Sequence, residues 1–143
     1  MAILTVGLVQ TAIYALLSGD ATLQTLALNG NGVGIYDVPV PQSDTDPQPY
    51  PYVTIGDINA MVDDTKGSNG ETCTGFVHCF SAYQGSKEWQ GIISRVKALL
   101  HHTCLTLSTG DNWLTYVDLV TNFTEPDGHT RHGVLRYQTR ITE

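Results

Sequence analysis

The chain has 143 residues and a mass of 15.5 kDa, which suits one domain with its own hydrophobic core, expected to span residues 1–143. Its net charge of −7, with seven Lys and Arg against fourteen Asp and Glu, argues against a protein that binds nucleic acid by neutralising phosphates. No apolar run reaches the ~20 residues that a membrane span needs, so we expect no membrane partner.

The start of the chain has the pattern of two helices. Apolar residues at helical spacing predict an amphipathic helix that ends at residues 18–20; they are Val6, Val9, Ile13, Leu16 and Leu17. A short helix from Ala21 to Leu28 is expected next, with Asp20 as its N-cap. Residues 29–34 are rich in glycine but lack the strand and helix of a dinucleotide site, so they are predicted to form a flexible turn.

Strand signals begin after this turn. Residues 35–38 predict a short strand, and the proline-rich residues 39–51 predict a surface connection with polyproline character. Residues 52–61 predict a strand whose alternation changes parity at Gly56 and Asp57, which indicates a β-bulge. The polar residues 63–71 are expected to join this strand to the next one as a mobile hairpin.

The middle of the chain predicts the central strand and the main helix. Residues 72–83 are rich in β-branched and aromatic side chains and suit a central strand. Ser86 is the expected N-cap of a helix with Glu88 in its first turn, and an apolar stripe follows: Trp89, Ile92, Ile93, Val96, Leu99 and Leu100. His101 and His102 follow the helix and are expected to satisfy its last carbonyls.

Two more strands complete the pattern. Residues 113–123 alternate, with Trp113, Thr115, Val117 and Leu119 predicted on one face and Leu114, Tyr116, Asp118 and Val120 on the other. Residues 124–129 have strong turn chemistry. Residues 133–142 predict a last strand with Leu135, Tyr137 and Ile141 facing the core and Arg136, Gln138 and Arg140 facing away.

Grouped helices and hairpin-linked strands predict an α+β fold: an antiparallel or mixed β-sheet of four to five strands, with two main helices packed on one face. The other face is unclaimed within the monomer, so we expect another subunit to bury part of it.

Catalytic and metal motifs are weak. Cys73 and Cys79 share one strand face too far apart to bridge, so they are expected to stay reduced, as in a protein made in a cytoplasm. His129 and His132 have the spacing of a zinc-ligand pair, but no second pair completes it. We therefore expect no metal, no cofactor and no enzymatic activity.

Several segments together resemble the tail-completion, or tail-terminator, family of long-tailed (siphovirus-type) phages and gene transfer agents. They are the N-terminal helix, residues 35–39 (IYDVP), 50–57 (YPYVTIGD), 76–88 (FVHCFSAYQGSKE) and 123–137 (FTEPDGHTRHGVLRY). The loops at 39–51 and 63–71 are particular to this chain.

The resemblance implies a structural protein that forms a homo-oligomeric ring, usually a hexamer, at the head-proximal end of the tail tube. The ring would stop tube polymerisation and provide the head–tail joining surface, with the tail-tube protein and a head-side connector protein as partners. DNA would pass through it without specific binding, and an acidic channel wall would repel phosphate. Such a protein is made and assembled in the bacterial host cytoplasm and ends in the virion.

Ten residues are candidates for subunit or partner contacts: Asp63, Asp64, Lys66, Glu71, Asp127, His129, Arg131, His132, Arg136 and Arg140. Arg131, Arg136 and Arg140 would pair with acidic residues of a neighbouring subunit, such as Asp63, Asp64 or Glu71, although a solvated strand face explains the same pattern.

Two alternatives stay open on the sequence alone. The chain could be another neck or head-completion protein of the same particle. It could also be a small cytoplasmic ligand-binding or hydrolytic α+β domain that uses the His129–His132 loop.

Overall fold

The computed structural model describes residues 5–37 and 49–142. Most of the predicted proline-rich connection therefore lies outside the described residues. The first helix, α1, is Thr5–Ser18, and its buried stripe consists of Val9, Ile13 and Leu17. Helix α2, Ala21–Leu26, is two residues shorter than predicted. Its predicted cap is confirmed, because the Leu23 N–H donates to Asp20 Oδ2 over 2.9 Å.

The glycine-rich turn contains a small hairpin that the sequence analysis missed. Strands β1, Leu28–Asn29, and β2, Gly32–Val33, pair antiparallel around it. Asn29 Oδ1 accepts a hydrogen bond from the Asn31 N–H over 2.8 Å, and Gly32 has a φ of +100°, a conformation that favours glycine. Tight turn chemistry therefore replaces the flexible loop that was expected.

The main sheet has five strands in the order β3-β4-β5-β7-β6. Its strands are β3 Ile35–Tyr36, β4 Tyr52–Val62, β5 Gly70–Ser81, β6 Asp111–Thr124 and β7 Arg131–Thr142. The β3–β4 pair is parallel and the other pairs are antiparallel. The predicted α+β fold with a mixed sheet is confirmed, and the strand predicted as central occupies its middle.

Bulges decide which face each side chain takes. The predicted bulge in β4 is confirmed by a register shift between Ile55 and Ile58. Strand β6 contains two register shifts that the prediction lacked. Its predicted alternation is therefore wrong in part: Thr115 is buried under the helices, whereas the Trp113 indole lies on the opposite face beneath the Arg140 guanidinium.

Helix α3, Lys87–Leu100, covers the middle of the sheet. The predicted stripe is buried at Trp89, Ile92, Ile93, Val96 and Leu100, while Leu99 is partly buried against the same core. Ser86 occupies the N-cap position as predicted, but its backbone is helical and its side chain makes no capping hydrogen bond. After the helix, His102 adopts a left-handed φ of 58°.

Within residues 5–37 and 49–142, helices cover only one face of the sheet. Helix α1 packs on β4 and β5, and α3 packs on β5 and β7. The core between these layers includes Tyr137, Leu135 and the free thiols of Cys73 and Cys79. Among the described residues, no helix combines the length and the apolarity that crossing a bilayer requires.

Candidate interaction surface

The helix-free face of the sheet carries a stacked group of rings, here called the aromatic cluster. Its members are Tyr50, Tyr52, His78, Phe80, Phe123 and His132. Tyr52 lies opposite Phe80 across β4 and β5, with ring centroids 4.8 Å apart, and His132 continues the stack 4.2 Å from Phe80. Because alternate strand residues share a face, neighbouring strands bring these rings together.

A chain of hydrogen bonds fixes the two imidazoles of this cluster. Glu125 Oε1 lies 2.8 Å from His132 Nδ1, and His132 Nε2 lies 2.8 Å from His78 Nδ1. Burial lowers the pKa of both histidines, with Glu125 opposing the shift at His132 and Asp57 opposing it at His78. In the neutral state, His78 Nδ1–H donates to His132 Nε2 and His132 Nδ1–H donates to Glu125.

A shallow groove lies beside the aromatic cluster. It is lined by Thr54, Ile55, Gly56, Asp57, His78, Phe80 and His132. A Cβ at Gly56 would lie 2.6 Å from His78 Nε2, so a larger residue there would displace the imidazole. His78 and Cys79 point to opposite faces, as expected, and burial raises the Cys79 pKa to about 12, which leaves the thiol unreactive.

A polar band crosses the same face next to the aromatic cluster. Arg136 Nε donates to Asp118 over 3.0 Å, and Gln138 Nε2 donates to the other oxygen of Asp118 over 2.7 Å. These contacts hold the pKa of Asp118 below its usual value, with Arg136 as the main cause. We expected Arg136 to pair with an acidic residue of a neighbouring subunit, whereas in the structure it pairs with Asp118 of its own chain.

The β4–β5 hairpin is pinned to β7 by a second ion pair. Arg140 Nε donates to Asp63 Oδ2 over 2.6 Å, and its Nη2 donates to the Asp63 carbonyl over 3.1 Å. Asp64 accepts from the Gly70 N–H, which closes the hairpin around the exposed Lys66. The Asp63–Arg140 pair that we expected between subunits is thus satisfied inside one subunit, and Glu71 is the second residue of β5.

The loop from residue 124 to residue 130 is organised by Asp127. Its carboxylate accepts from the backbone N–H groups of His129 and Thr130 and from the Thr130 hydroxyl. These bonds hold the Asp127 pKa at about 2. Arg131 follows and donates to the Gln84 carbonyl over 3.0 Å.

The His129–His132 pair does not converge on a common point. The side chain of His129 is 71% exposed and lies 3.8 Å from Asp127, whereas His132 is engaged by Glu125 and His78. Among residues 5–37 and 49–142, no three His, Cys, Asp or Glu side chains cluster in a way that could hold a metal ion. The two histidines of this loop therefore do not form a common site in the described part of the chain.

The ten candidate residues therefore fall into three places rather than one: the hairpin, the loop and the strand face. The structure adds Tyr52, Phe80 and Phe123, which the sequence analysis did not select. The alternation of Phe76, His78 and Phe80 on β5 was the available signal for this cluster.

Comparison with known proteins agrees with this architecture. The family model described as "Tail completion protein gp17" matches residues 11–142. A chain of the solved structure "Virion of native gene transfer agent (GTA) particle" has the same fold, with a TM-score of 0.82 and 20% sequence identity over 99% of this chain and 100% of that chain. No curated protein matches the sequence. Because the family model spans nearly the whole domain, helices and sheet together, the chain belongs to the tail completion protein gp17 family.

Proposed function

We propose that the protein is a structural, non-enzymatic tail terminator. It assembles into a homo-oligomeric ring, a hexamer in its usual form, at the head-proximal end of a tail tube. There it stops tube polymerisation and provides the surface that a head-side connector protein binds. It is made in the host cytoplasm and remains in the virion.

The sheet face that no helix of the described residues covers is the observation that carries this proposal. One face of the sheet is buried by the chain's own helices, while large apolar side chains such as Trp113 and Phe123 stay exposed on the other. An apolar surface of this kind marks a site of protein contact, which supports a role in assembly. Membership of the tail completion family supports the tail of a phage-type particle as the place of that assembly.

The charge of the chain supports passage of DNA without specific binding. The net charge is −7, and three of the seven Lys and Arg residues, namely Arg95, Arg136 and Arg140, pair with carboxylates of their own chain. Few cations are left to neutralise phosphates, and an acidic channel would repel them.

The test is to polymerise the purified tail-tube protein with and without this protein and to image the products by electron microscopy. We expect rings at one end of each tube and a fall in mean tube length as the protein is added. Tubes of unchanged length with bare ends would contradict termination. Binding to the head-side protein with no binding to tubes would instead assign the protein to another level of the neck.

A further inference from the structure

The sheet ends on one side in β6, and half of its outer edge is open. Its first half is covered, because the Thr115 N–H donates to the Thr103 carbonyl over 2.8 Å and the Val117 N–H donates to His101 Nδ1 over 3.0 Å. Beyond Val117, no strand within residues 5–37 and 49–142 pairs with the outer side of β6. Residues 118–124 are here called the β6 edge.

The opposite side of the sheet is open in a similar way. Strand β3 has only two residues and pairs with Val53 and Thr54, whereas β4 continues to Val62. In the part of the chain that the structure describes, no strand pairs with the outer side of residues 57–62, here called the β4 edge. The two open edges thus lie on opposite sides of one sheet.

Both edges have the composition of surfaces that become buried. Five of the thirteen large apolar side chains that are exposed in the described residues lie on the two edges: Met61, Val62, Leu119, Val120 and Phe123. Met61 and Val62 are 74% and 73% exposed. Apart from Asp118 and Asp57 at their first positions, the two edges contain no lysine, proline or charged residue of the kind that normally guards an edge strand.

We propose that subunits join head to tail, with the β6 edge of one copy pairing with the β4 edge of the next. The inference rests on the proposed ring and specifies the contact that closes it. Open backbone N–H and C=O groups beside apolar side chains recognise an extended strand. A closed ring needs two different, complementary surfaces on one molecule, and this chain carries both.

Charge favours a second copy as the partner at these edges. Each copy has a net charge of −7, so two copies repel each other over most of their surfaces. Residues 119–124 and 58–62 contain no ionisable side chain, so their contact brings no like charges together. Each edge has one carboxylate, at its first residue: Asp118 of the β6 edge is paired with Arg136, and Asp57 of the β4 edge lines the same groove as His78.

Strand direction fits this arrangement. Strand β4 runs antiparallel to β5, β5 to β7, and β7 to β6, so β4 and β6 run in opposite directions. Rotating one subunit onto the next therefore gives an antiparallel pair. The registers place the β4 edge level with the first half of β6 and not with the β6 edge. Pairing the two edges would therefore offset neighbouring subunits along the strand direction by roughly five residues. Closed sheets require a stagger of this kind.

Engineered cysteines test the contact. In a Cys104→Ser background, Ala60→Cys or Met61→Cys is combined with Leu119→Cys or Thr121→Cys, which gives four double variants that cover the neighbouring registers. Three strand spacings of about 4.8 Å separate the two positions within one subunit, which is too far for an internal disulfide. Leu28→Cys with Leu119→Cys is the matched control, because Leu28 is exposed but lies on the small hairpin.

The variants are assembled with tail-tube protein, imaged, oxidised and run on a non-reducing gel. We expect at least one β4–β6 pair to give a covalent ladder that ends at the ring number, while single variants and the control stay monomeric. Rings whose four double variants all stay monomeric would overturn this contact and leave the ring intact. Covalent dimers from Leu119→Cys alone would indicate a two-fold contact and also overturn it. Complete absence of rings would instead contradict the proposed function.

Discussion

Tyr137 is the largest fully buried side chain of the described residues, and its hydroxyl has no hydrogen-bond partner there. Burial raises the pKa of this hydroxyl above its usual value. A buried donor without a partner costs about 1–3 kcal/mol, because it has lost its hydrogen bonds to water. The ring therefore stabilises the core while its oxygen opposes folding.

Replacing Tyr137 with phenylalanine removes that oxygen and keeps the ring. We expect Tyr137→Phe to raise the free energy of unfolding by roughly 1 kcal/mol in urea denaturation. Tyr116→Phe is the matched control, since the Tyr116 hydroxyl donates to Gln138 on the exposed face, and it should change stability by less than about 0.5 kcal/mol. Lower stability of Tyr137→Phe than of the parent would show that the hydroxyl has a partner.

Predictions from the sequence were sound for residues whose role depends on local spacing. Leu135, Tyr137 and Ile141 are buried as expected, because strand alternation alone assigns them to the core. The partners of Arg136 and Arg140 could not be predicted in the same way. Asp118 and Asp63 are 18 and 77 residues away in sequence, and only the strand order brings them close.

At the scale of elements, Asp20 joins two helices. Its carboxylate caps α2 through the Leu23 N–H and receives two hydrogen bonds from Arg95 of α3, over 2.9 and 2.7 Å. These contacts, led by the Arg95 hydrogen bond, lower the Asp20 pKa to about 2. One carboxylate thus holds the short helix α2 against α3.

Removing this carboxylate should loosen α2. We expect Asp20→Ala to lower the free energy of unfolding by about 1–2 kcal/mol, the usual cost of a lost N-cap, and to speed hydrogen exchange in α2. Asp20→Asn keeps a capping oxygen without the charge, so it should lose less. Equal losses for both variants would assign the effect to the ion pair with Arg95 rather than to the cap.

The helices and most strands could be predicted from the sequence because their apolar periodicity is regular. The β6 register could not be predicted, because each of its two bulges shifts every following side chain to the other face. The β4 bulge was predictable, since Gly56 and Asp57 lie where the parity of the apolar residues changes. Strand β6 has no such marker at its shifts.

At the scale of the whole molecule, partly buried histidines link stability to pH. The pKa values of His78, His101 and His132 are lowered from 6.5, with burial as the main cause in each. The folded chain therefore binds these protons more weakly than the unfolded chain does. Consequently the free energy of unfolding is not reduced by these histidines above pH 6.5, and it declines as the pH falls below 6.5.

Urea denaturation at pH 8, 7, 6, 5, 4 and 3 should show a free energy of unfolding that is level at first and then falls. A second decline should begin below about pH 4, as the unfolded chain takes up protons on Asp20, Asp63, Asp118 and Asp127, whose pKa values are lowered from 3.8. The double variant His78→Asn, His132→Gln should flatten the first decline. An equally steep decline in that variant would assign it to other groups.

The order of the strands has a consequence for synthesis. Strand β7 lies between β5 and β6, yet it follows both of them along the chain. While a ribosome is still making residues 131–142, β6 lacks its partner strand in the sheet, and the sheet cannot close. With the contact proposed above, a nascent subunit would have no ordered β6 edge to offer to finished copies, so assembly would wait until translation has passed β7.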